Sequence, residues 1–443
     1  MATPWAQRYA QRTQTVKSSI IRELLRITQR PEVISFAGGL PAPEVFPAER
    51  FRDACERVLS TQAATALQYG PTEGYRPLRE FIVAQMARYG IIATVDNVLI
   101  TSGSQQALDL IAKLLINRGD RILTECPSYL GALQAFSVFG AQYVTVPVDD
   151  EGLQTSQLES ALRSGPKFMY ILPNFQNPSG VTLSRERREE LVWLSDKYGI
   201  PIIEDDPYGQ LRYEGDHISP IVMLDRMAQE NGGEYLLGNV IYLSTFSKVM
   251  APGLRLGWIV APPEVIGRLV QLKQSADLHT SMFTQIVAFE VARDGFLDEH
   301  VKTIRRVYRE RRDAMLSALR ECFPLEITWT QPRGGLFLWV TLPGEIDSAE
   351  LLNAALRQNV AFVPGDPFYP EGDAGSLQRC TEIPREPQRG IPRRDADRRG
   401  ARTDRKRTRD GEHRLARPLL WPQQRRRAGD TCNRPIDERT QRR

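Results

Sequence analysis

Between residues 95 and 262, short apolar runs alternate with longer stretches of helical periodicity. VLIT and RILTE are followed by the amphipathic segments SQQALDLIAKLLIN and YLGALQAFSVFG. Five further runs have the same character, namely YVTVPV, FMYIL, IPIIE, VIYLS and GWIVA. Apolar strands separated by helices are typical of a mostly parallel sheet that helices cover on both faces. The pattern therefore predicts an α/β fold.

The chain on either side of this segment is organised differently. Residues 1–45 contain an arm and the amphipathic stretch SSIIRELLRITQ, and they extend into a loop rich in glycine and proline, AGGLPAPEVFP. A helix is predicted around residues 48–60, and residues 263–320 are predicted to be largely helical. Residues 325–370 contain the strand-like FLWVTL and the helical SAELLNAALRQ, which together predict a smaller α+β domain.

The net charge of +4 averages two unlike segments. Residues 371–443 contain 20 Arg, 1 Lys and 12 acidic residues, whereas residues 1–370 contain 37 basic and 42 acidic residues. The basic segment has no apolar periodicity and cannot bury enough surface to offset the entropy of ordering, so we expect it to be disordered. A basic tail can bind nucleic acid, but no aromatic interleaving or folded motif supports such a partner here.

Composition argues against membrane and metal sites. No apolar run approaches the roughly 18 residues that span a bilayer. The N-terminus, MATPWAQRYAQRTQ, lacks the apolar stretch of a secretory signal. The five cysteines and four histidines are scattered and form no CxxC pair. We therefore expect a cytoplasmic protein without a metal or a membrane partner.

The segment STFSKVMAPGLRLGW, residues 244–258, is the most specific motif of the chain. A predicted strand ends in Thr245 and Ser247, and Lys248 follows directly, with Arg255 seven residues later. Hydroxyls and a fixed arginine suit a phosphate dianion. A neighbouring lysine can form an imine with an aldehyde if burial or nearby cations lower its pKa. A lysine alone would be interpreted as a solvated loop residue, so the flanking motif carries the prediction.

Two other predicted strands run into polar connections. In LITSGSQQALDL, Ser104 begins a helix whose first N–H groups can receive an anion, although a plain N-cap is the alternative. In YILPNFQNPSGVTLS, Asn177 can donate to a ring oxygen or to a substrate carboxylate, although a structural Asn-Pro turn is the alternative.

The segment IPIIEDDPYGQL ends a buried strand in three acidic residues, and Tyr208 follows. A carboxylate at the carboxyl end of a strand faces the usual ligand crevice of an α/β sheet. One of these carboxylates could hold a pyridine nitrogen protonated and so make the ring an electron sink. A solvated acidic turn is the alternative, and metal ligation lacks a nearby histidine.

In this combination and order, the four motifs resemble those of the fold-type I pyridoxal-phosphate aminotransferases of class I and II. The resemblance covers roughly residues 15–370 and is strongest to the 2-aminoadipate and aromatic aminotransferases, relatives of the aminotransferase half of MocR-type regulators. It implies an aspartate-aminotransferase-like fold with a three-layer α/β/α large domain at 46–275 and a smaller α+β domain at 276–370, which residues 1–45 join. It also implies a homodimer, pyridoxal 5′-phosphate as cofactor, and amino acids and 2-oxo acids as substrates.

The resemblance gives each motif residue a role. Lys248 would carry the cofactor as a Schiff base and later move a substrate proton, while Asp205 would pair with the pyridine nitrogen. Tyr129, in CPSYLG, would stack on the ring, and Asn177 and Tyr208 would hold its phenolic oxygen. The phosphate would be held by Ser104, Gln105, Thr245, Ser247 and Arg255, together with Tyr69 of the neighbouring subunit.

The resemblance also implies contacts to the substrate. Gly39, in FAGGLP, would lie against the substrate carboxylate, which Asn177 would also reach. Arg22, in SSIIRELLRITQ, would read an acidic side chain and so favour glutamate or 2-aminoadipate as amino donor. An exposed arginine paired with Glu23 or Glu32 is the alternative.

The end of the chain departs from the family pattern. After AFVPGDPFYPEGDAG the family continues with Leu-Arg-Leu-x-Phe, whose arginine forks onto the substrate α-carboxylate, and then with a final helix. Here GSLQRCTEIPREPQRG follows, in which Arg379 lacks the surrounding motif. A frameshift, an evolved basic tail and a protein that binds the cofactor without turnover are three open interpretations. A frameshift predicts reduced stability and weak substrate binding.

The leading functional hypothesis is an aminotransferase. It would move an amino group from glutamate, 2-aminoadipate, an aromatic or a branched-chain amino acid to a 2-oxo acid such as 2-oxoglutarate. The alternatives are a carbon–sulfur β-lyase, which uses the same cofactor, and a regulatory or scaffold module without turnover. MocR regulators carry a winged-helix domain ahead of this fold, and roughly 15 residues before the first predicted helix are too few for one.

Overall fold

The computed structural model describes residues 3–14, 30–228, 238–344 and 346–370. The predicted N-terminal helix, with Arg22, and the basic segment 371–443 lie outside the described residues. Within the described ranges, no helix is both long enough and apolar enough to cross a membrane.

The strands differ in length and are distributed along the described chain. They are β1 (Ile34–Ser35), β2 (Val98–Thr101), β3 (Arg121–Cys126), β4 (Gln142–Asp149), β5 (Gly152–Leu153), β6 (Met169–Ile171), β7 (Ile202–Asp205), β8 (Val240–Thr245), β9 (Gly257–Val260), β10 (Thr328–Trp329), β11 (Val340–Thr341) and β12 (Val360–Ala361). Each of the seven runs predicted as strands between residues 95 and 262 overlaps one of them, which confirms those predictions.

The main sheet, in the described part of the chain, has the order β2-β9-β8-β7-β6-β3-β4-β5. Strands β4, β3, β6, β7 and β8 are parallel neighbours, as the sequence predicted. Strand β9 is antiparallel to both β8 and β2, and β5 is antiparallel to β4. The connection from β8 to β9 spans only residues 246–256, whereas a parallel neighbour needs a crossover of a dozen or more residues. Strand β9 therefore runs back along β8.

The α-helices lie mostly between these strands. Those in the described residues are α1 (Ala48–Ala66), α2 (Arg76–Ala87), α3 (Ser104–Leu115), α4 (Leu130–Ser137), α5 (Leu158–Leu162), α6 (Arg185–Tyr198), α7 (Ile221–Ala228), α8 (Pro263–Ala276), α9 (Met282–Ala292), α10 (Phe296–Cys322) and α11 (Ser348–Leu356). The helix predicted around residues 48–60 thus continues to Ala66, and the largely helical segment 263–320 is confirmed.

Consecutive residues of a central strand face opposite sides of the sheet. Ile202 packs in one core and Ile203 in the other. Helices α3, α4 and α8 cover one face, while α1, α2, α6, α7 and α9 cover the opposite face. Every residue of β2, β6, β7, β8 and β9 is buried, which explains why these strands are mostly apolar, with the polar residues of β2, β7 and β8 near their carboxyl ends. The three-layer α/β/α architecture is confirmed.

The segment predicted as a smaller α+β domain contains little sheet. Strand β10 pairs with β11, and β1 pairs in parallel with β12, which ties residues 34–35 to residues 360–361. The predicted strand FLWVTL is a strand only at Val340–Thr341. Phe337, at the start of the run, packs edge-on against Tyr208. Helix α11 confirms the predicted helix SAELLNAALRQ. The domain boundaries given above stay predictions.

Candidate active site

The predicted polar segments meet at one edge of the main sheet. Strands β2, β3, β6, β7 and β8 run in the same direction, so their carboxyl ends share that edge. Each of the five ends is followed by candidate residues, in the segments 102–104, 127–129, 174–177, 205–208 and 245–248. Residues that lie far apart in the sequence are thereby brought together.

Lys248 follows β8 and approaches the N-terminal segment. Its Nζ donates to the carbonyl oxygen of Gly39 at 3.4 Å and lies 5.7 Å from the centre of the Tyr208 ring. Burial and then the positive charge of Arg255 lower the pKa of Lys248 to about 8. An amine with such a pKa is partly neutral near physiological pH, as a nucleophilic lysine requires.

Asp205 is the last residue of β7 and is 2% exposed. Its Oδ2 accepts a hydrogen bond from the Tyr170 hydroxyl at 2.8 Å, while Oδ1 is buried without a partner among the described residues. Burial and, to a smaller extent, the charge of Asp206 raise the pKa of Asp205 to about 7, against the opposing effect of the Tyr170 hydrogen bond. A cationic donor at Oδ1 would restore the ordinary ionisation of this carboxyl group.

Three further side chains are close to Asp205. Burial, together with Tyr129 and Asp205, raises the pKa of Tyr208 well above its ordinary value, and Asn177 hydrogen-bonds to its hydroxyl. Burial and then the charge of Asp205 raise the pKa of Tyr129 to about 12, against the opposing effect of Arg255. Both phenols are therefore neutral hydrogen-bonding groups at physiological pH. We call Tyr170, Asn177, Asp205 and Tyr208 the carboxylate cluster.

Arg255, Gly103 and Ser104 lie together where α3 begins. Gly103 has a φ of 79°, in the left-handed region, and a Cβ atom there would lie 2.6 Å from Nη2 of Arg255. The guanidinium group therefore packs directly on this turn. The hydroxyl of Ser104 is buried without a partner among the described residues. A helix N-terminus, a hydroxyl and an arginine together suit an anion.

The other predicted phosphate ligands are already bonded to the protein. The Thr245 hydroxyl donates to the carbonyl oxygen of Leu256 at 2.8 Å and lies 2.9 Å from the Ser247 hydroxyl. The side chain of Gln105 donates to the carbonyl oxygen of Gly131 at 2.9 Å. The bond from Thr245 to Leu256 joins the residues just before Lys248 to those just after Arg255. The bond from Gln105 to Gly131 joins α3 to α4. We call Ser104, Thr245, Ser247 and Arg255, with the N-terminus of α3, the anion cluster.

The remaining predicted residues differ in their surroundings. Gly39, with a φ of 55°, lies beside Lys248 and against the ring of Phe337. Tyr69 is 78% exposed, and its ring meets that of His279 edge-on at 5.8 Å. Arg22 lies outside the described residues, so its predicted role stays a prediction.

The unpartnered buried atoms indicate what this site can hold. Leaving a buried polar group unpaired costs about 1–3 kcal/mol, so such groups gathered in one crevice point to a ligand. Asp205 Oδ1, Asn177 Oδ1 and the Ser104 hydroxyl are of this kind among the described residues. A carboxylate, an amide oxygen and a hydroxyl beside an arginine fit an aromatic ring that carries a protonated nitrogen and a phosphate. The described residues contain no cluster of histidine, cysteine and acidic side chains suited to a metal ion.

Tyr170 is a site residue that sequence reasoning missed. It lies on β6 opposite Ile203 of β7, and Ile203 precedes Asp205 by two residues. Because side chains alternate along a strand, Tyr170 and Asp205 face the same side of the sheet. The sequence showed a tyrosine in the run FMYIL and an acidic end in IPIIEDD. The pairing register of the two strands was needed to predict that Tyr170 and Asp205 meet.

The acidic run 204–206 divides into three different roles. Glu204 faces the opposite side from Asp205 and accepts hydrogen bonds from the N–H groups of Ile221 and Val222, where α7 begins. Asp206 accepts hydrogen bonds from the side chain of Asn174, the N–H of Gly209 and the hydroxyl of Tyr242. Asp205 is therefore the member of the run whose carboxylate keeps an unpartnered oxygen in the described structure.

Comparisons with known proteins agree with this geometry. The sequence matches the family described as "Aminotransferase class I and II" over residues 35–379. It is similar to "Aromatic-amino-acid aminotransferase 1" of Thermococcus litoralis, with 44% identity over 395 residues that cover 87% of this chain and 92% of the relative.

Two solved structures extend the comparison. The α-aminoadipate aminotransferase of Thermus thermophilus, complexed with N-(5′-phosphopyridoxyl)-L-leucine, is 42% identical with a TM-score of 0.77. The kynurenine aminotransferase of Pyrococcus horikoshii is 44% identical with a TM-score of 0.78. Each match covers 84% of this chain and 91% of the solved chain.

Proposed function

Because the chain belongs to the class I and II aminotransferase family, we propose a substrate range of glutamate, 2-aminoadipate, and aromatic or branched-chain amino acids, with 2-oxoglutarate as an acceptor. The protein is an aminotransferase that uses pyridoxal 5′-phosphate. When bound, this cofactor supplies an aldehyde for covalent attachment and a pyridinium ring that withdraws electrons. The residues that hold it and the identity of its substrates are our proposal.

The observation that carries the proposal is the set of unpartnered buried atoms beside Lys248. Asp205 Oδ1 is proposed to accept from the protonated pyridine nitrogen, and Asn177 and Tyr208 to hold the phenolic oxygen. Tyr129 is proposed to lie on the ring face. The phosphate is assigned to Ser104, Arg255 and the N-terminus of α3, while Gln105, Thr245 and Ser247 hold the surrounding backbone through the bonds described above.

Lys248 is proposed as both the attachment point and the proton carrier. Its pKa of about 8 leaves part of the amine neutral near physiological pH, so Nζ can attack an aldehyde. Once released from the cofactor, the same Nζ can take the Cα proton of the substrate and return it at a different carbon.

The walls near Lys248 support an apolar substrate side chain. Phe337 packs edge-on against Tyr208, with 5.5 Å between the ring centres, and lies against Gly39. The relatives named above act, by their names, on aromatic amino acids, kynurenine or α-aminoadipate. An acidic substrate would need a cation from the segment SSIIRELLRITQ, for which Arg22 is the proposed residue.

A homodimer is part of the proposal. Tyr69 is an aromatic residue that is 78% exposed, which suits a residue that completes the phosphate site of a neighbouring subunit. The cytoplasmic location is proposed on the sequence alone.

One spectroscopic experiment tests the reaction. Purified holoenzyme is mixed with each amino acid of a panel in the absence of any 2-oxo acid, and the visible absorbance of the cofactor is followed. Glutamate should bleach this absorbance and yield one 2-oxoglutarate per subunit, and adding a 2-oxo acid should restore it. Continuous release of pyruvate and ammonia from a β-substituted amino acid would indicate a β-lyase. Absence of any spectral change across the panel would contradict turnover.

A further inference from the structure

A buried lysine lies behind the anion cluster and is connected, through Gln106 and Asp277, to the turn that carries Ser104. The side chain of Lys273, on α8, is 0% exposed. Its Nζ donates to Oε1 of Gln106 at 2.7 Å and to the two carboxylate oxygens of Asp277 at 2.8 and 2.9 Å. All three protons of the ammonium group therefore have acceptors.

The ion pair determines how the Gln106 side chain is oriented. The amide oxygen of Gln106 faces the ammonium group of Lys273, and its Nε2 donates to Asp277 Oδ2 at 2.7 Å. The reversed amide would place its NH₂ group against a cation and its oxygen against a carboxylate. The observed orientation is therefore strongly preferred, and it leaves the amide oxygen free to accept from a second donor.

That second donor belongs to the turn between β2 and α3. The backbone N–H of Ser102 donates to Oε1 of Gln106 at 2.8 Å, and the Ser102 hydroxyl donates to Asp277 Oδ2 at 3.2 Å. Ser102 directly precedes Gly103, on which Arg255 packs, and Ser104, whose hydroxyl has no partner in the described structure. The orientation of the Gln106 side chain thereby fixes the position of the Ser102 backbone in the turn.

We propose that Lys273 and Asp277 are positioning residues for the phosphate of the cofactor. Acting through Gln106, they hold residues 102–104 so that Ser104 and the N-terminus of α3 receive the phosphate. This inference rests on the proposed function, in which the same turn binds that group.

The charge balance supports a geometric role. Against the effect of burial, hydrogen bonds from Lys273 and Gln106 hold the pKa of Asp277 below its ordinary value. Burial lowers the pKa of Lys273, and the hydrogen bond and charge of Asp277 oppose that effect, so each partner favours the charged form of the other. The cation and the anion neutralise each other at short range and add little net field at the phosphate. Removing Lys273 therefore changes the shape of the turn more than the attraction for an anion.

Two ligands separate this role from a general loss of stability. The full-length chain, freed of cofactor, is titrated with pyridoxal 5′-phosphate and with pyridoxal, which lacks the phosphate, and tryptophan fluorescence reports binding. Lys273→Met should weaken binding of the phosphorylated ligand by about tenfold or more, because bonds to a buried charged group are lost. Binding of pyridoxal should stay within about twofold, since its contacts lie elsewhere. Equal weakening of both ligands, or of neither, would overturn the proposal.

A matched control is available on α3 itself. Lys113 forms an ion pair with Asp109 at 2.7 Å, and its side chain is 35% exposed. Lys113→Met removes the same charge from a nearby position but should leave both affinities unchanged. A loss of phosphorylated-ligand affinity in Lys113→Met as large as that in Lys273→Met would show that charge rather than position is responsible.

A second variant keeps the test decisive if Lys273→Met does not fold. Asp277→Asn has nearly the same shape at a side chain that is 28% exposed, and it should weaken binding of the phosphorylated ligand selectively, by about threefold. An unchanged ratio of the two affinities in this variant would overturn the proposal. A wild-type chain that does not prefer the phosphorylated ligand would instead overturn the proposed phosphate site. The positioning role of Lys273 and Asp277 would fall with it.

Discussion

The carboxylate cluster and the anion cluster face the same crevice but rely on opposite electrostatic conditions. In the carboxylate cluster water is excluded, and burial raises the pKa of Asp205 to about 7 and that of Tyr208 well above its ordinary value. In the anion cluster the charged residue, Arg255, is exposed and rests on the turn at Gly103. Burial makes a protonation state depend on what is bound, whereas an exposed guanidinium offers a planar fork of donors to an anion. The carboxylate cluster is therefore suited to catalysis, and the anion cluster to binding a phosphate group.

Lys248 lies between the two regions, and removing its amine should have the largest effect. Lys248→Ala should lower kcat by roughly 10⁴-fold or more and abolish the visible absorbance of the attached cofactor, because no amine remains to bond it. Lys302→Ala, at an exposed lysine of α10, is the control and should change neither quantity. Wild-type absorbance and turnover in Lys248→Ala would refute the assignment.

Replacing Asp205 in the carboxylate cluster should lower activity and raise the stability of the protein without cofactor. Asp205→Asn should lower kcat by about 10²–10³-fold, because a charge directed at the reacting group is lost. The same variant, without cofactor, should be more stable than the wild type by about 1–3 kcal/mol at pH 8, because an unpaired buried carboxylate is removed.

The pH dependence of this stability difference follows from the raised pKa. The folded wild type binds the Asp205 proton up to a pH of about 7, whereas the ordinary pKa is 3.8. The stability of the wild type therefore falls relative to that of Asp205→Asn as the pH rises between these values. Urea unfolding from pH 3.5 to pH 8 measures both, with Asp150→Asn in an exposed turn as control. A difference that is independent of pH would contradict the assigned shift.

The anion cluster should respond in binding rather than in turnover. Arg255→Lys keeps the positive charge but loses the forked donor, so affinity for pyridoxal 5′-phosphate should fall about tenfold. The value of kcat at saturating cofactor should stay within about twofold, because the carboxylate cluster is untouched. Equilibrium dialysis and steady-state rates decide this, with Arg268→Lys on the exposed side of α8 as control. A fall in kcat larger than the fall in affinity would erase the distinction between the two clusters.

The smallest expected effect concerns Tyr170. Its hydroxyl donates to Asp205 and opposes the rise of that pKa, so Tyr170→Phe should move the acidic limb of kcat/KM upward by about one pH unit. Tyr143→Phe is a matched control, because Tyr143 donates to the carbonyl oxygen of Leu133 instead. An equal shift in both variants, or none in Tyr170→Phe, would show that the hydrogen bond does not tune Asp205.

Much of the fold followed from the period of the apolar residues. The runs VLIT, FMYIL, IPIIE and VIYLS each contribute a strand that is buried on both faces, and this burial is visible in the sequence as consecutive apolar residues in place of alternation. The reversed direction of β9 followed from a connection too short for a crossover, which is a matter of distance between strands. The domain boundaries and the roles of the site residues stay predictions.

The sequence by itself determined which residue types follow the carboxyl ends of the strands, and the rule that parallel strands share an edge brought Lys248, Asp205 and Ser104 into one crevice. Only the tertiary structure decided which carboxylate of 204–206 keeps an open oxygen, that Tyr170 supports it, and that Lys273 reaches Ser102 through Gln106. The physical reason is that strand register and helix packing set these contacts. Both arise from burial summed over the whole core, and no local stretch of sequence contains that sum.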